Sequence, residues 1–455
     1  MVGWWLAALL PFGRAEWWLR LPALLLPFAL AWGAWSLLRV QSDERARLAA
    51  LLVLLQPADV WNVLITTDTP VILFSLLSVL AYVEGMRRAS FAWHALAGLL
   101  LGAAFLGKYF AALLGFAFAA HALFARRDRG CVAMLAALTA CALVGPAWNL
   151  WWNAGHCWPN VLFNFYNRNE RAGFDWLNPP LFAASLAYLA TPWLLWALWR
   201  GRDRLAATLA ADDTARAMAW LAGVPLALFF LLSFTKSVGL HWLLAFMPFV
   251  AVLAAAALPI DALWRLCRWS AAFAALHVIA AAALLGLPLS VWEGGSLHPG
   301  AVLMLRGDAV VDRLREPLAR CGEDCTLATE SYASSAVLAH AAGRPVAVFG
   351  TGSVHGRQDD FDTDFRALDG RDLLIVRRGA AHARSYAPFF ADVAVDTFTV
   401  EGVVFHLVHG RGFRYAVYHD RVLRRVRDLY YRLPETLPLR ACPFVERYFP
   451  GEVER

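Results

Sequence analysis

Residues 66–88 read TTDTPVILFSLLSVLAYVEGMRR, and this stretch decides the class of the fold. Its apolar run, from position 69 to position 86, approaches the ~20 residues that an α-helix needs to cross the hydrocarbon of a bilayer. An acidic motif stands at one end of the run, and a pair of arginines stands at the other. We therefore predict a transmembrane helix with a carboxylate at one membrane surface and fixed positive charge at the opposite surface.

Similar apolar runs recur from Trp17 to Trp292. The chain is 60% hydrophobic and contains 21 Trp and 29 Phe residues, well above the average of soluble globular domains. The sequence predicts a mostly α-helical, polytopic membrane bundle of about ten spans. They cover residues 17–39, 46–65, 69–86, 91–107, 109–125, 131–151, 181–199, 217–235, 240–259 and 268–291.

The connections between these spans differ in basic residues. Fourteen lie in one set of connections, at 39–47, 87–88, 126–129, 200–216 and 265–268, against six in the opposite set. Connections rich in Lys and Arg stay in the cytoplasm. We therefore predict a multi-pass protein of the cytoplasmic (inner) membrane, in which Asp68 and everything after about Trp292 are extracytoplasmic.

The last third of the chain has a different charge balance. Residues 296–455 carry 21 basic and 21 acidic residues, so residues 1–295, with 20 and 14, account for the whole net charge of +6. Topology explains that excess, and it does not indicate a nucleic-acid partner. Short β-rich runs alternate with helical patterns in the tail. We predict a transmembrane domain at 1–295 and a soluble, extracytoplasmic α/β domain at 296–455.

Two cysteines lie close together in this tail. If the topology is right, Cys321 and Cys325 face an oxidising compartment, where they either form a local disulfide or remain unpaired thiols. Cys131, Cys141 and Cys267 lie in predicted spans, where they are expected to act as small apolar packing residues.

Lysine is rare in this chain. Lys108 and Lys236 stand against 39 arginines, and the compact charge of lysine is not interchangeable with arginine at a tight site. Both lysines end apolar runs on the predicted membrane face of Asp68. Two cations and a carboxylate at one surface predict a site for a phosphate-bearing, membrane-embedded substrate. Ammonium groups, or a divalent metal ion held by Asp68, would stabilise the charge on a departing phosphate.

Each of these residues also has a simpler interpretation. Asp68 could cap the helix that starts at Thr69. Lys108 and Lys236 could extend from helix ends to the membrane interface.

The candidate ligands in the loops have simpler interpretations too. His156 and His241 could be ordinary interfacial polar residues, and Arg168 could bind lipid head groups.

The order of the motifs resembles that of the C-type integral-membrane glycosyltransferases of glycosyltransferase family 39, which include protein mannosyltransferases and lipid A aminoarabinose transferases. Five segments carry the resemblance: Leu19-Arg20-Leu21-Pro22-Ala23, Thr67-Asp68-Thr69-Pro70, Gly107-Lys108-Tyr109, Trp152-Asn153-Ala154-Gly155-His156 with the residues up to 168, and residues 236–242.

The resemblance implies an enzyme that moves a hexosyl or pentosyl group from a polyprenyl-phosphate donor to an extracytoplasmic lipid, glycan or protein acceptor, within a shell of membrane lipids. The implied catalytic residues are Asp68, Lys108 and Lys236. The implied substrate-binding residues are Tyr109, Asn153, His156, Arg168, His241 and Trp242.

The chain departs from the family at its start. The family places an Asp-Glu motif in its first extracytoplasmic loop, and Met1 to Trp4 resemble residues just after that loop's acidic segments. The first helix and the residue thought to activate the acceptor are therefore expected to be missing, which would leave this chain without its base. Three interpretations stay open: an active enzyme, an inactive fragment of one, or a non-catalytic transporter or scaffold.

A transporter is expected to differ in where its polar residues lie. Transporters usually place such residues near the bilayer midplane. Here the unusual polar residues gather at one face, which favours chemistry at the membrane surface.

Overall fold

The computed structural model describes residues 2–64, 66–126, 130–167, 173–352, 355–434, 437–438 and 440–451. The chain divides into two compact units. The helical unit comprises Met1–Leu150 and Ala172–Leu284, and the sheet unit comprises Trp151–Arg171 and Leu285–Arg455.

Helices make up almost all of the first part of the chain. The described α-helices up to residue 286 are Val2–Leu9, Glu16–Leu19, Leu21–Leu38, Asp43–Leu55, Pro57–Leu64, Thr69–Arg88, Phe91–Gly107, Ala112–Ala120, Cys131–Ala142, Val144–Ala154, Pro159–Val161, Asn178–Ala190, Pro192–Arg200, Arg202–Ala211, Asp213–Ser233, Met247–Ala257 and Ile260–Gly286. A tighter helical segment, Leu240–Phe246, leads into Met247–Ala257. The predicted mostly helical class is therefore confirmed.

The structure supports six to eight of the ten predicted spans among the residues that it describes. Within the described ranges, six helices are long and apolar enough to cross a membrane: Leu21–Leu38, Thr69–Arg88, Cys131–Ala154, Asp213–Ser233, Leu240–Ala257 and Ile260–Gly286. Two bent pairs raise the possible number to eight. The predicted spans at 91–107 and 109–125 form shorter apolar helices, Phe91–Gly107 and Tyr109–Ala125, so ten spans are not confirmed.

Proline explains both bent pairs. Asp43–Leu55 and Pro57–Leu64 meet at 56°, and Asn178–Ala190 and Pro192–Arg200 meet at 89°. Proline lacks the N–H that would continue the helix, and it pushes the preceding residue out of the helical conformation. Thr191, directly before the second proline, has φ +69°. Two runs that look continuous by hydropathy are therefore broken helices.

Small residues bring two helices of the helical unit into close contact. A Cβ at Gly145 would lie 2.2 Å from the carbonyl oxygen of Gly102, and a Cβ at Gly98 would lie 2.1 Å from that of Leu138. Lipid tails are as apolar as leucine side chains, so the hydrophobic effect does not drive helices together within a membrane. Helix packing there depends on close van der Waals contact, which small residues allow. The helix Phe91–Gly107 is thereby fixed against the helix that follows Cys131.

The described tail forms the predicted α/β arrangement. The strands are β1 Thr326–Thr329, β2 Ala347–Val348, β3 Leu373–Arg377, β4 Phe390–Val400 and β5 Val403–Phe413, in the order β2-β1-β3-β5-β4. β2, β1 and β3 are parallel, whereas β5 is antiparallel to both β3 and β4. The described α-helices are His298–Leu305, Gly307–Cys321, Tyr332–Ala342, Gln358–Asp362, Ala383–Tyr386, Tyr415–Tyr418, Arg424–Val426 and Pro443–Tyr448.

Disulfides determine part of the domain organisation. Cys321 and Cys325 are bonded, which selects the first of the two alternatives from the sequence. Cys157 is bonded to Cys442, 285 positions away, a pairing that the sequence did not indicate. The segment Trp151–Arg171, which carries Cys157, belongs to the same unit as Leu285–Arg455, which carries Cys442.

Candidate active site

Asp68 is at the start of a membrane-spanning helix. The short helical turn Thr66–Asp68 precedes Thr69–Arg88, and Pro70 lies in the first turn, where its missing N–H costs nothing. The Asp68 side chain is fully buried and forms an ion pair with the Lys108 ammonium group. It makes no capping hydrogen bond within the described residues, so the capping interpretation is wrong.

Close helix packing brings Lys108 to this carboxylate. Lys108 ends the helix Phe91–Gly107 in an extended conformation, with φ −153°. A Cβ at Gly107 would lie 3.0 Å from the backbone nitrogen of Val71, so glycine allows the two helix ends to meet. The Lys108 side chain is 27% exposed and contacts Asp68, which does not fit simple extension towards the interface.

Further hydrogen-bonding capacity is available beside this pair. Oδ2 of Asp68 and Oγ1 of Thr69 are buried, and neither has a hydrogen-bond partner among the residues that the structure describes. A buried polar atom without a partner is costly. These two oxygens could therefore hydrogen-bond to groups of a ligand or to water.

An aromatic contact joins the turn after Lys108 to the loop that carries Lys236. The ring of Phe110 stacks on Trp242 with centroids 6.1 Å apart. Lys236 is half-buried after the helix Asp213–Ser233, and its backbone N–H donates to the Leu232 carbonyl at 3.1 Å. The elements that carry both lysines are thus packed together within the helical unit.

The aromatic candidates on these elements contact the protein's own side chains. The Tyr109 hydroxyl donates to Oδ1 of Asn149 at 2.7 Å, and its ring stacks on Phe105 at 4.9 Å. His241 contacts the edge of the Trp242 ring at 6.2 Å. These contacts fix the orientations of all three predicted ligand residues.

The remaining candidates lie in the sheet unit. Asn153 is fully buried, and its Oδ1 accepts a hydrogen bond from the backbone N–H of Asn160 at 3.2 Å. Nδ1 of His156 donates to the Trp152 carbonyl at 2.8 Å, and the two rings stack at 4.1 Å. These contacts maintain the loop itself. Arg168 lies outside the described residues.

The described residues form no cluster of ligands for the predicted metal ion. Among the described ranges, no three His, Cys, Asp or Glu side chains lie close enough together to hold one. Asp68 contacts an ammonium group, which repels a cation. The residues described around Asp68 therefore do not fit a divalent metal ion.

A second candidate pocket lies in the sheet unit, at the carboxyl ends of its parallel strands. Its volume is about 320 Å³, and Glu330, Phe349 and Tyr386 line it. The Tyr386 hydroxyl donates to Glu330, and Arg377 Nη1 contacts the same carboxylate at 3.1 Å. Burial, together with the hydrogen bond to Glu330, raises the pKa of Tyr386 to about 12.

Sequence analysis did not identify this pocket. Open α/β sheets bind ligands where the strand order reverses, outside the carboxyl ends of the strands. The sequence signal that could have identified the pocket is the acidic residue Glu330, because it directly follows the predicted strand run 325–329.

Comparison with known proteins supports the family expected from the motifs. Residues 1–152 match the family model described as dolichyl-phosphate-mannose-protein mannosyltransferase. No curated protein sequence matches the chain significantly.

Two solved structures share the fold. ArnT from Cupriavidus metallidurans in the apo state has 16% sequence identity and a TM-score of 0.56, over 87% of this chain and 84% of that one. The same protein bound to undecaprenyl phosphate has 16% identity and a TM-score of 0.58, over 87% and 85%. The resemblance to glycosyltransferase family 39 is thereby confirmed: the chain matches the mannosyltransferase family model over its first 152 residues and has the fold of ArnT.

Proposed function

We propose that this protein is a membrane glycosyltransferase that takes a sugar from a polyprenyl-phosphate donor. The buried Asp68–Lys108 ion pair at the end of a membrane span carries this proposal. It holds an ammonium group where the anionic phosphate of a lipid-anchored donor would lie. The binding of undecaprenyl phosphate by ArnT, which has the same fold, supports a donor of this class.

The chemistry follows from charge development at the phosphate. An acceptor hydroxyl attacks the anomeric carbon, the bond from that carbon to the phosphate oxygen breaks, and the polyprenyl phosphate departs with both electrons. Lys108 and Lys236 would stabilise the charge that builds on the phosphate. Asp68 would hold the Lys108 ammonium in position before the reaction begins. The acceptor's proton passes to a general base, a role that we assign to no described residue.

We propose a hexose or pentose as the transferred sugar and a lipid, glycan or protein as the acceptor. We also propose that the protein lies in the cytoplasmic membrane with its sheet unit outside the cytoplasm. Two disulfides in that unit support this location, because disulfides persist in oxidising compartments. The excess of arginine in the opposite connections supports the same orientation.

Donor binding is the direct test of this function. Purified protein is expected to bind undecaprenyl phosphate, measured as a concentration-dependent rise in the thermal unfolding temperature. Lys236→Ala should weaken this binding about tenfold or more, because it removes a charge-assisted contact to the phosphate. Arg14→Ala, on the same predicted membrane face, is the matched control and should leave the affinity unchanged. Equal affinities in both variants would refute the phosphate role of Lys236.

The orientation is tested by cysteine labelling from outside intact cells. In a background with Cys131, Cys141 and Cys267 replaced by alanine, a membrane-impermeant maleimide should label Ala380→Cys and spare Ala207→Cys. Both positions are exposed, so accessibility within the fold is matched. Labelling only at position 207 would reverse the topology and exclude an extracytoplasmic acceptor.

A further inference from the structure

The pocket in the sheet unit lies where the parallel part of the sheet changes direction. Strand β1 is paired with β2 on one side and with β3 on the other, so the two strands that follow β1 in sequence lie on its opposite sides. Thr329 pairs with Val376, and the next residues, Glu330 and Arg377, therefore lie side by side at the carboxyl ends of β1 and β3. Open α/β sheets bind ligands at such a point.

Among the described residues that line the pocket, the one charged group is the carboxylate of Glu330. It accepts a hydrogen bond from the Tyr386 hydroxyl, and Nη1 of Arg377 lies 3.2 Å from its Oε1 and 3.1 Å from its Oε2. An ionised carboxylate has about four acceptor sites, and the Glu330 side chain is 35% exposed. It can therefore still accept a hydrogen bond from a ligand hydroxyl. Because Arg377 already balances its charge, the pocket does not require a cationic ligand.

Aromatic rings form the apolar part of the pocket wall. The Phe349 ring lies 6.0 Å from the Tyr386 ring and 5.7 Å from the Phe389 ring, measured between centroids, and all three line the pocket. Thr351 and Ser385 add two hydroxyl-bearing side chains to the lining. The volume of about 320 Å³ lies at the small end of the range of about 300–1,000 Å³ for small-molecule sites. The pocket therefore suits a small ligand that has an apolar face and several hydroxyl groups.

We propose that this pocket binds one neutral hexose unit of a glycan. The C–H groups of a pyranose ring form an apolar face, which packs on aromatic rings because the faces of those rings carry partial negative charge. The sugar hydroxyls would donate to the Glu330 carboxylate, and hydrogen bonds to an ionised group are the stronger kind. A small organic cation would find the carboxylate already paired with Arg377. A purely apolar ligand would displace water from Glu330 without replacing its hydrogen bonds.

Sugar binding by the purified full-length protein tests the proposal. In a detergent without a sugar head group, saturation-transfer difference NMR should show saturable binding of at least one of three probes: methyl β-D-glucopyranoside, methyl β-D-galactopyranoside and methyl α-D-mannopyranoside. Ethanolamine offers a cation and glycerol offers hydroxyls, but neither has a ring face, so neither should bind measurably. The measurement contains no donor lipid, so its result does not depend on the proposed transferase function.

Two variants assign the binding to this pocket. Glu330→Gln should weaken hexose binding about tenfold, because it replaces a charged acceptor by a neutral one. Ser385→Phe should abolish binding, because Ser385 is an exposed lining residue and a phenyl ring at this position fills the pocket. The matched controls are Glu401→Gln, which also breaks an ion pair with an arginine in the sheet unit, and Ser296→Phe, which enlarges another exposed serine of that unit. Neither control should change hexose binding.

Three results would overturn the hexose site. The first is the absence of saturable binding for all three hexosides. The second is unchanged binding in Ser385→Phe, which would mean that the sugar binds elsewhere. The third is equal binding of ethanolamine or glycerol, which would mean that the ring face has no role. If Glu330→Gln does not fold, Ser385→Phe alone decides the question. Both variants should still bind undecaprenyl phosphate, so failure of the donor test and failure of this one are distinguishable.

Discussion

Replacing Lys108 by methionine is expected to destabilise the helical unit more than replacing Asp68 by asparagine, although each change removes the same ion pair. Lys108→Met leaves the Asp68 carboxylate fully buried without a counter-charge, a loss that typically costs about 3–5 kcal/mol. Asp68→Asn leaves an ammonium group on a side chain that is 27% exposed, so water can solvate it and the cost should be about 1–3 kcal/mol. Thermal unfolding of the detergent-purified variants measures the difference.

The double variant Asp68→Asn/Lys108→Met should recover most of the stability that Lys108→Met loses. Residues in direct contact are not energetically additive, because the second change removes the charge that the first left uncompensated. Additive losses of stability would show that the two side chains do not form a pair in solution.

The rate of sugar transfer should not recover in the double variant, although its stability does. All three variants are expected to lose about 10²–10³-fold in the rate of sugar transfer, the usual effect of removing a preorganised charge from an active site. Measuring the rate at a temperature where each variant remains folded separates the two effects. A normal transfer rate in Asp68→Asn would reduce Asp68 to a structural partner of Lys108.

Loss of the Cys157–Cys442 disulfide is expected to destabilise the sheet unit far more than loss of Cys321–Cys325. The first bond joins positions 285 apart and the second joins positions 4 apart. In the chain-entropy model a disulfide restricts the unfolded chain more as the loop lengthens, which gives about 6 kcal/mol for the long loop and about 2 kcal/mol for the short one. The paired variants Cys157→Ala/Cys442→Ala and Cys321→Ala/Cys325→Ala provide matched comparisons.

Protease resistance of the sheet unit and its thermal unfolding temperature both report this difference. Burial makes the prediction sharper, because Cys157 and Cys442 are almost completely inaccessible to solvent. Equal shifts in the two paired variants would contradict the loop-length argument. Alkylation of Cys157 or Cys442 in denatured, unreduced protein would contradict the bond itself.

Local patterns in the sequence predicted most of the helices and the tail sheet. Each of the ten predicted spans coincides with an apolar helix or bent helix pair, because membrane helices must satisfy their backbone hydrogen bonds within one apolar segment. The number of crossings is the part that is not confirmed, because six to eight of the described helical segments are long and apolar enough to span a membrane. Pro57 and Pro192 were visible in the sequence, but hydropathy alone does not measure the bend that each produces.

Local patterns were less reliable for the functions of individual side chains. Asn153 is predicted to bind substrate because of its position in a motif, and the structure adds that its side chain is buried and accepts a hydrogen bond from its own loop. Asp68 matched the pattern of a helix cap, yet it pairs with Lys108. In both cases the sequence contains the residue type but not the neighbours that compete for its hydrogen bonds.

The sequence by itself determined the helical membrane class, the α/β tail and the membrane face shared by Asp68 and Lys108, because hydropathy, strand patterns and charge bias act over short stretches of chain. Tertiary structure alone decided the contact between Asp68 and Lys108, which depends on the close approach that Gly107 allows. It also decided the Cys157–Cys442 bond, since a pairing across 285 positions leaves no periodic signal in the sequence. Contacts between distant residues arise from the packing of whole helices and strands. That packing minimises a free energy to which many side chains contribute, so no single segment of sequence determines it.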